Sequence, residues 1–225
     1  MKLYTPNNHI VAEIDGKFYV LDTGLPFSFS YTGDKSIRIE GKEHSLSPAG
    51  VFPKSMADSL TGMDISGFIG MNIISDTGLS IDFEQERLEF KVSEEIGTTF
   101  DLPFSLWNGR YIETKVISIG TKLASVIIDT GACISYLSER YISGLKMTEE
   151  TYRDENPQCG VIEGNFFLGE ISFDGDEKGM YTHPVKVGKL HPAFNGYGVD
   201  AFLGLRTLSG KAVVFDFEHF RIGIR

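Results

Sequence analysis

Apolar residues alternate with polar ones over short stretches of this chain and nowhere recur for long at helical spacing. Ile10, Ala12 and Ile14 alternate, Asp15-Gly16 breaks the run, and Phe18 and Val20 resume it. Alternation on both sides of an Asp-Gly pair is the pattern of a β-hairpin with a two-residue turn. Lys115 to Ile128 has the same form around Gly120, and Gly164 to Gly175 reads as strand after a turn at Asn156–Gly160. Short helical segments are expected near Lys54–Leu60 and after Phe68-Ile69-Gly70 and Phe202-Leu203-Gly204. The pattern predicts an all-β protein.

The pattern also repeats. Val20-Leu21-Asp22-Thr23-Gly24 returns 107 positions later as Ile127-Ile128-Asp129-Thr130-Gly131. Phe68-Ile69-Gly70 returns 134 positions later as Phe202-Leu203-Gly204, and that offset then holds to the end. Ile81-Asp82-Phe83-Glu84 falls on Phe215-Asp216-Phe217-Glu218, and Arg87-Leu88 on Arg221-Ile222. Three matched blocks in the same order are the mark of an internal duplication. The reading is two similar lobes, 1–95 and 105–225, joined by a linker at 96–104. The difference between the offsets puts 27 extra residues into the second lobe, between its Asp-Thr-Gly and its Phe-Leu-Gly.

Composition narrows the function classes. With 21 Lys and Arg against 31 Asp and Glu, the net charge is −10. Such a surface repels phosphate backbones and anionic membranes, so neither nucleic acid nor membrane is expected as a partner. No apolar run reaches the roughly 18 residues of a membrane span, and the first residues lack a signal-peptide core, which points to an intracellular, cytoplasmic protein. Two cysteines, Cys133 and Cys159, make neither a disulfide framework nor a metal-ligand pattern, so no metal or cofactor is expected. The high counts of glycine (25) and phenylalanine (17) fit short strands joined by tight turns.

The chemistry lies in the repeated tripeptide. An aspartate at the end of an apolar strand, followed by Thr-Gly, leaves a carboxylate at a loop tip beside backbone N–H groups. Two such loops in two related lobes can meet across a pseudo-two-fold axis. Carboxylates about 3 Å apart cannot both ionise, so they share a proton near neutral pH. One can then act as general base on a water and the other as general acid.

On these residues the chain resembles the aspartic proteases of the pepsin and retropepsin type. The run Met63 to Met71, continuing to Ile81-Asp82-Phe83, is similar to single-lobe retropepsin-like domains, and Val199 to Leu205 to the pepsin form. The resemblance covers nearly the whole chain except the linker. It implies an all-β bilobal acid-protease fold with β-barrel-like lobes. It also implies endopeptidase action on a peptide or protein substrate, no cofactor, and a monomer that suffices because both aspartates are in one chain. Asp22 and Asp129 would form the catalytic dyad. Thr23 and Thr130 would cross-brace the two loops, and Gly24 and Gly131 would let backbone approach the dyad. Pepsin-type enzymes usually carry Ser or Thr after the glycine; here Leu25 and Ala132 stand there, and losing a donor to a carboxylate raises its pKa, which predicts activity at weakly acidic pH. The family covers its cleft with a β-hairpin flap. The extra length in lobe two places the expected flap there, with its tip at Pro157, Gln158, Cys159 and Gly160 and Tyr152 as its tyrosine.

Other features take plainer readings. Asp76-Thr77-Gly78 is a third copy of the tripeptide but falls in a turn. Cys133 reads as a small apolar filler. Gly204 to Lys211 has the wrong spacing for a phosphate loop, and Asp174-Gly175-Asp176-Glu177 lacks the pattern of a calcium loop. Two alternatives to an active protease stay open on the same scaffold: a non-catalytic peptide-binding module, and a latent protease needing activation.

Overall fold

The computed structural model describes residues 1–48, 53–93, 100–156, 159–175, 179–204, 207 and 210–225. The first half contains β1 (Leu3–Tyr4), β2 (Val11–Ile14), β3 (Lys17–Leu21), β4 (Phe29–Ser30), β5 (Ser36–Ile39) and β6 (Lys42–Ser45). Helix α1 (Lys54–Thr61), β7 (Ile65–Ile69), helix α2 (Met71–Thr77), β8 (Leu79–Asp82) and β9 (Arg87–Glu89) follow. After β10 (Phe100–Pro103), the second half contains β11 (Ser105–Trp107), β12 (Tyr111–Ile119), β13 (Lys122–Ile128), β14 (Ser135–Leu137) and helix α3 (Glu139–Ile142). It continues with β15 (Lys146–Asn156), β16 (Gly160–Gly175), β17 (Gly179–Lys189), β18 (Ala201–Leu203), β19 (Ala212–Asp216) and β20 (Arg221–Ile224). The protein is predominantly β, in several sheets, as the alternation predicts.

The expected hairpins form where the turn residues put them. Asp15 and Gly16 adopt φ of 51° and 73° between β2 and β3, the left-handed pair that a two-residue turn needs. β12 and β13 pair around Gly120, also at positive φ. Helices α1 and α2 occupy two of the expected helical segments; the third, after Gly204, lies largely outside the described residues.

The halves share one local topology. In the first, β3 runs parallel to β7, with Leu21 opposite Ile69, and β4 runs antiparallel to β7, with Phe29 opposite Phe68. In the second, β13 runs parallel to β18, with Ile128 opposite Leu203, and β14 antiparallel to β18, with Tyr136 opposite Phe202. Every one of these pairs maps onto its counterpart by the sequence offsets. The surroundings diverge. The first half builds an open sheet of order β1-β2-β3-β7-β4, with β5 and β6 as a separate pair. In the second, β16 pairs back onto β12 at Ile117–Ile119, beyond the register shift between Thr114 and Ile117, which closes six strands into a ring and removes their free edges.

A third sheet, of order β10-β20-β19-β8-β9, joins the halves. Ser80 of β8 lies opposite Val214 of β19, its own equivalent in the repeat, so the local two-fold passes through that pair. The segment 96–104 is not a simple linker: Phe100–Pro103 pairs along its length with β20, and Leu102 is buried. The strand adds apolar cover to a sheet that both halves need; residues 96–99 lie outside the described residues. One continuous core takes in Ile10, Leu21 and Ile69 with Ile128, Leu203 and Phe215. Smaller clusters flank it, among them one around Val20, Phe29 and Phe68 and one around Tyr136, Tyr152 and Phe166.

Gly70 and Gly204 end the two parallel strands at matched positions. Each donates its N–H to a serine hydroxyl, Ser28 at 2.9 Å and Ser135 at 3.0 Å. A Cβ on Gly204 would sit 2.3 Å from the Ala132 carbonyl oxygen and 2.8 Å from that of Ile134, both backbone. Gly204→Ala is therefore expected to cost about 3 kcal/mol or more through overpacking against atoms that cannot swing aside. A thermal melt checks this; an unchanged melting temperature would mean that the two loops are less closely fitted than described.

Candidate active site

Strands β3 and β13 each deliver an aspartate to the same place. Asp22 N–H donates to the Ile69 carbonyl and Asp129 N–H to the Leu203 carbonyl, both at 3.0 Å, so each ladder holds the backbone up to the aspartate itself. The chain then turns away. Gly24 N–H donates to Asp22 Oδ1 at 2.8 Å, and Gly131 N–H to Asp129 Oδ1 at 3.0 Å.

The two threonines tie the loops together. Thr23 N–H donates to Thr130 Oγ1 at 3.0 Å, and Thr130 N–H to Thr23 Oγ1 at 2.9 Å. Each hydroxyl in turn donates across, Thr23 to the Ile128 carbonyl at 2.8 Å and Thr130 to the Leu21 carbonyl at 3.0 Å. Both threonines are buried, so these four bonds stand out of competition with water.

The glycines set the distance. A Cβ on Gly24 would lie 2.5 Å from the Asp129 carboxyl, and one on Gly131 would lie 2.3 Å from that of Asp22. Each glycine thus rests against the opposite aspartate, and any side chain there would push the carboxyls apart. The two carboxyls share a hydrogen bond.

Electrostatics follow from that placement. Burial, then the charge of Asp129, holds Asp22 well above the usual carboxylate range against the Gly24 and Leu25 N–H groups. Burial also raises Asp129, opposed by the Gly131 N–H and the hydrogen bond from Asp22. Both carboxyls are raised and the pair titrates as a unit, sharing one proton before the second ionisation. An ionised carboxylate beside a protonated one can take a proton from water and give one to a carbonyl oxygen.

The dyad lies in the wall of a cavity of about 450 Å³. The first half contributes mainly apolar groups: Leu25, Phe27 and Phe68, with Met56 and Leu60 from α1. The second contributes Tyr111, Tyr136, Phe194 and Phe202. The β15–β16 hairpin reaches the same cavity through Asp154, Glu155, Asn156 and Ile162.

The individual hairpin candidates fare differently. Tyr152 does not line the cavity. Its ring is buried against Tyr136 and Phe166 and lies across Gly164 and Gly188, and its hydroxyl accepts the Lys189 N–H at 3.3 Å. It anchors the base of the hairpin; Asp154, two residues on and on the same strand face, reaches the cavity. Pro157 and Gln158 lie outside the described residues. Cys159 and Gly160 are not cavity residues; Cys159 is a half-buried free thiol that packs, like Cys133, against the Tyr136 cluster. Asp76 lies in the last turn of α2 and pairs with Lys42 at 2.5 Å, so this third Asp-Thr-Gly closes a helix, with Gly78 as its C-cap, where a turn was expected.

His9, Tyr111, Asp154 and α1 were invisible to sequence reasoning as site elements. Only the Asn108-Gly109 turn before Tyr111 hinted that a side chain would be presented there. Among the described residues no group of three or more His, Cys, Asp or Glu side chains is placed to hold a metal ion, and no helix is long and apolar enough to cross a membrane.

No protein-family model matches the chain, and no curated protein matches it. Among solved structures it is similar to conglutin gamma, a basic 7S globulin from lupine seeds, with a TM-score of 0.46 and 12 % identity over 81 % of this chain. The match covers 61 % of conglutin gamma.

Two outcomes are expected. Thr130→Val removes an acceptor and a donor from a buried network and should cost about 2–4 kcal/mol, whereas Thr130→Ser should restore most of it; denaturant melts compare the two, and equal losses would discount the hydroxyl. Asp22 binds its proton more tightly folded than unfolded. Its contribution to stability is thus full below the unfolded value of 3.8 and is lost as pH rises toward the folded value. Asp22→Asn should therefore melt above the wild type near neutral pH, with the gap closing toward about pH 4, by about 2–4 °C per kcal/mol relieved. A gap independent of pH would contradict the raised carboxyl.

Proposed function

We propose that the protein is an aspartic endopeptidase of a bilobal, single-chain form, hydrolysing peptide bonds with a water activated by Asp22 and Asp129. The observation that carries this reading is the symmetric packing of Gly24 and Gly131 against the opposite carboxyls. Stability has no need of two carboxyls pressed together, and the arrangement costs free energy at neutral pH.

The chemistry follows from the charge state. Asp129, ionised, draws a proton from a water between the carboxyls. The resulting hydroxide attacks the scissile carbonyl carbon, and the proton of Asp22 passes to the carbonyl oxygen. Collapse of the tetrahedral intermediate returns a proton to the leaving amine. No acyl-enzyme forms, because the nucleophile is water. The active window is bounded below by protonation of Asp129 and above by ionisation of Asp22. Both are raised, which places the optimum on the weakly acidic side. Leu25 and Ala132 support that reading, since neither supplies a hydroxyl donor. Substrate would lie extended in the cavity, its main chain hydrogen-bonded and its side chains among the aromatic walls, with the β15–β16 hairpin excluding water.

Binding of a statine-type peptide inhibitor tests the dyad, because its hydroxyl mimics the tetrahedral intermediate. Thermal shift from about pH 3 to pH 7 should show stabilisation of the wild type that disappears in Asp129→Asn. Peptide turnover should fall by about 10²- to 10⁴-fold in the same variant. Inhibitor binding without turnover would favour a latent protease. Peptide affinity that survives Asp129→Asn, with no turnover in either protein, would favour a binding module.

A further inference from the structure

The cavity wall carries polar groups besides the dyad, one of which, Asp154, is near enough for its charge to raise Asp129. His9 lines the cavity and is only 6 % exposed, yet its imidazole has no hydrogen-bond partner among the described residues. Asp154 lines the same cavity, near enough for its charge to act on that imidazole. Asp154 accepts hydrogen bonds from the Tyr136 hydroxyl at 2.5 Å and the Glu155 N–H at 2.8 Å, and no lysine or arginine among the described residues pairs with it. Three cations of the hairpin and its neighbour strand are engaged elsewhere: Arg153 with Glu163 and Lys186 with Glu150, both at 2.6 Å, and Lys189 with Glu139. Among the described residues no lysine or arginine lines the cavity, while Glu155 adds a further carboxylate to its wall.

An imidazole on the cavity wall and a carboxylate with no cation among the described residues leave an incomplete set. Burial favours the neutral form of His9, which presents one acceptor nitrogen. With Asp154, the cavity offers acceptors and negative charge but no matching donor cation. An anionic ligand group would be repelled here. An apolar one would strip water from both groups and return nothing. An ammonium or guanidinium group satisfies both.

We infer that the His9–Asp154 end of the cavity is a subsite for a lysine or arginine side chain of an extended peptide, the apolar first-half wall taking a hydrophobic neighbour. This names the substrate class for the proposed protease and rests on that reading. Tyr136 is the positioning residue: its hydroxyl fixes the Asp154 carboxyl on the cavity wall.

The test separates recognition from catalysis by using the Asp22→Asn protein, which cannot turn substrate over. A fluorescent octapeptide library is scanned position by position with lysine, arginine, norleucine and glutamate. At one position lysine or arginine should bind about 10- to 100-fold more tightly than norleucine, with glutamate weakest. Adding Asp154→Asn, which keeps an oxygen for Tyr136, should abolish that preference, and His9→Leu should weaken it. Glu163→Gln, the same charge change on the same hairpin outside the cavity, should leave it intact. A library with no basic preference, a preference that survives Asp154→Asn, or one lost equally in Glu163→Gln would overturn the subsite. Failure of the protease reading shows separately: basic-selective binding without cleavage by the wild type removes the enzyme and keeps the subsite, and cleavage without basic preference does the reverse.

Discussion

Two carboxyl groups pressed together away from bulk water repel each other once both ionise, so such a pair survives only if the surrounding chain holds it. Here four buried threonine hydrogen bonds and two glycines without room for a Cβ supply that restraint. Much of the remaining architecture serves the same end. The parallel pairing of β3 with β7 and of β13 with β18 fixes the height at which each aspartate emerges. The central sheet, with Ser80 opposite Val214, fixes the two emergent points relative to each other. A shift of one residue in that register would turn inward-facing side chains outward and move one loop against the other.

Symmetry stops at the dyad. Phe29 and Tyr136 occupy equivalent places beside equivalent strands, but Phe29 stacks on Phe68 in an apolar cluster while Tyr136 gives its hydroxyl to Asp154. The inserted hairpin therefore brings polarity to one wall of a cavity whose other wall is Leu25, Phe27, Met56 and Leu60. A duplicated frame thus carries an unsymmetrical cavity. Such asymmetry suits the directional peptide substrate proposed for it, and the proposed subsite at His9 and Asp154 extends it.

The sequence by itself determined the strand-rich class, the hairpins at Asp15-Gly16 and Gly120, helices α1 and α2, and the identity of the two repeated loops. All of these are written in local patterns: alternation, turn residues and matched tripeptides. Other features depended on partners far along the chain. The segment at 100–103 is a strand because β20, more than a hundred residues later, offers it an edge. Tyr152 lies on the correct face of the hairpin but about 7 Å short of the cavity along the strand, a distance that pairing register and the shift between Met147 and Thr151 decide. His9 and Asp154 are separated by most of the chain and line one cavity only because the second half's hairpin reaches it. Local pattern specifies which way a side chain faces; only tertiary packing specifies what it faces.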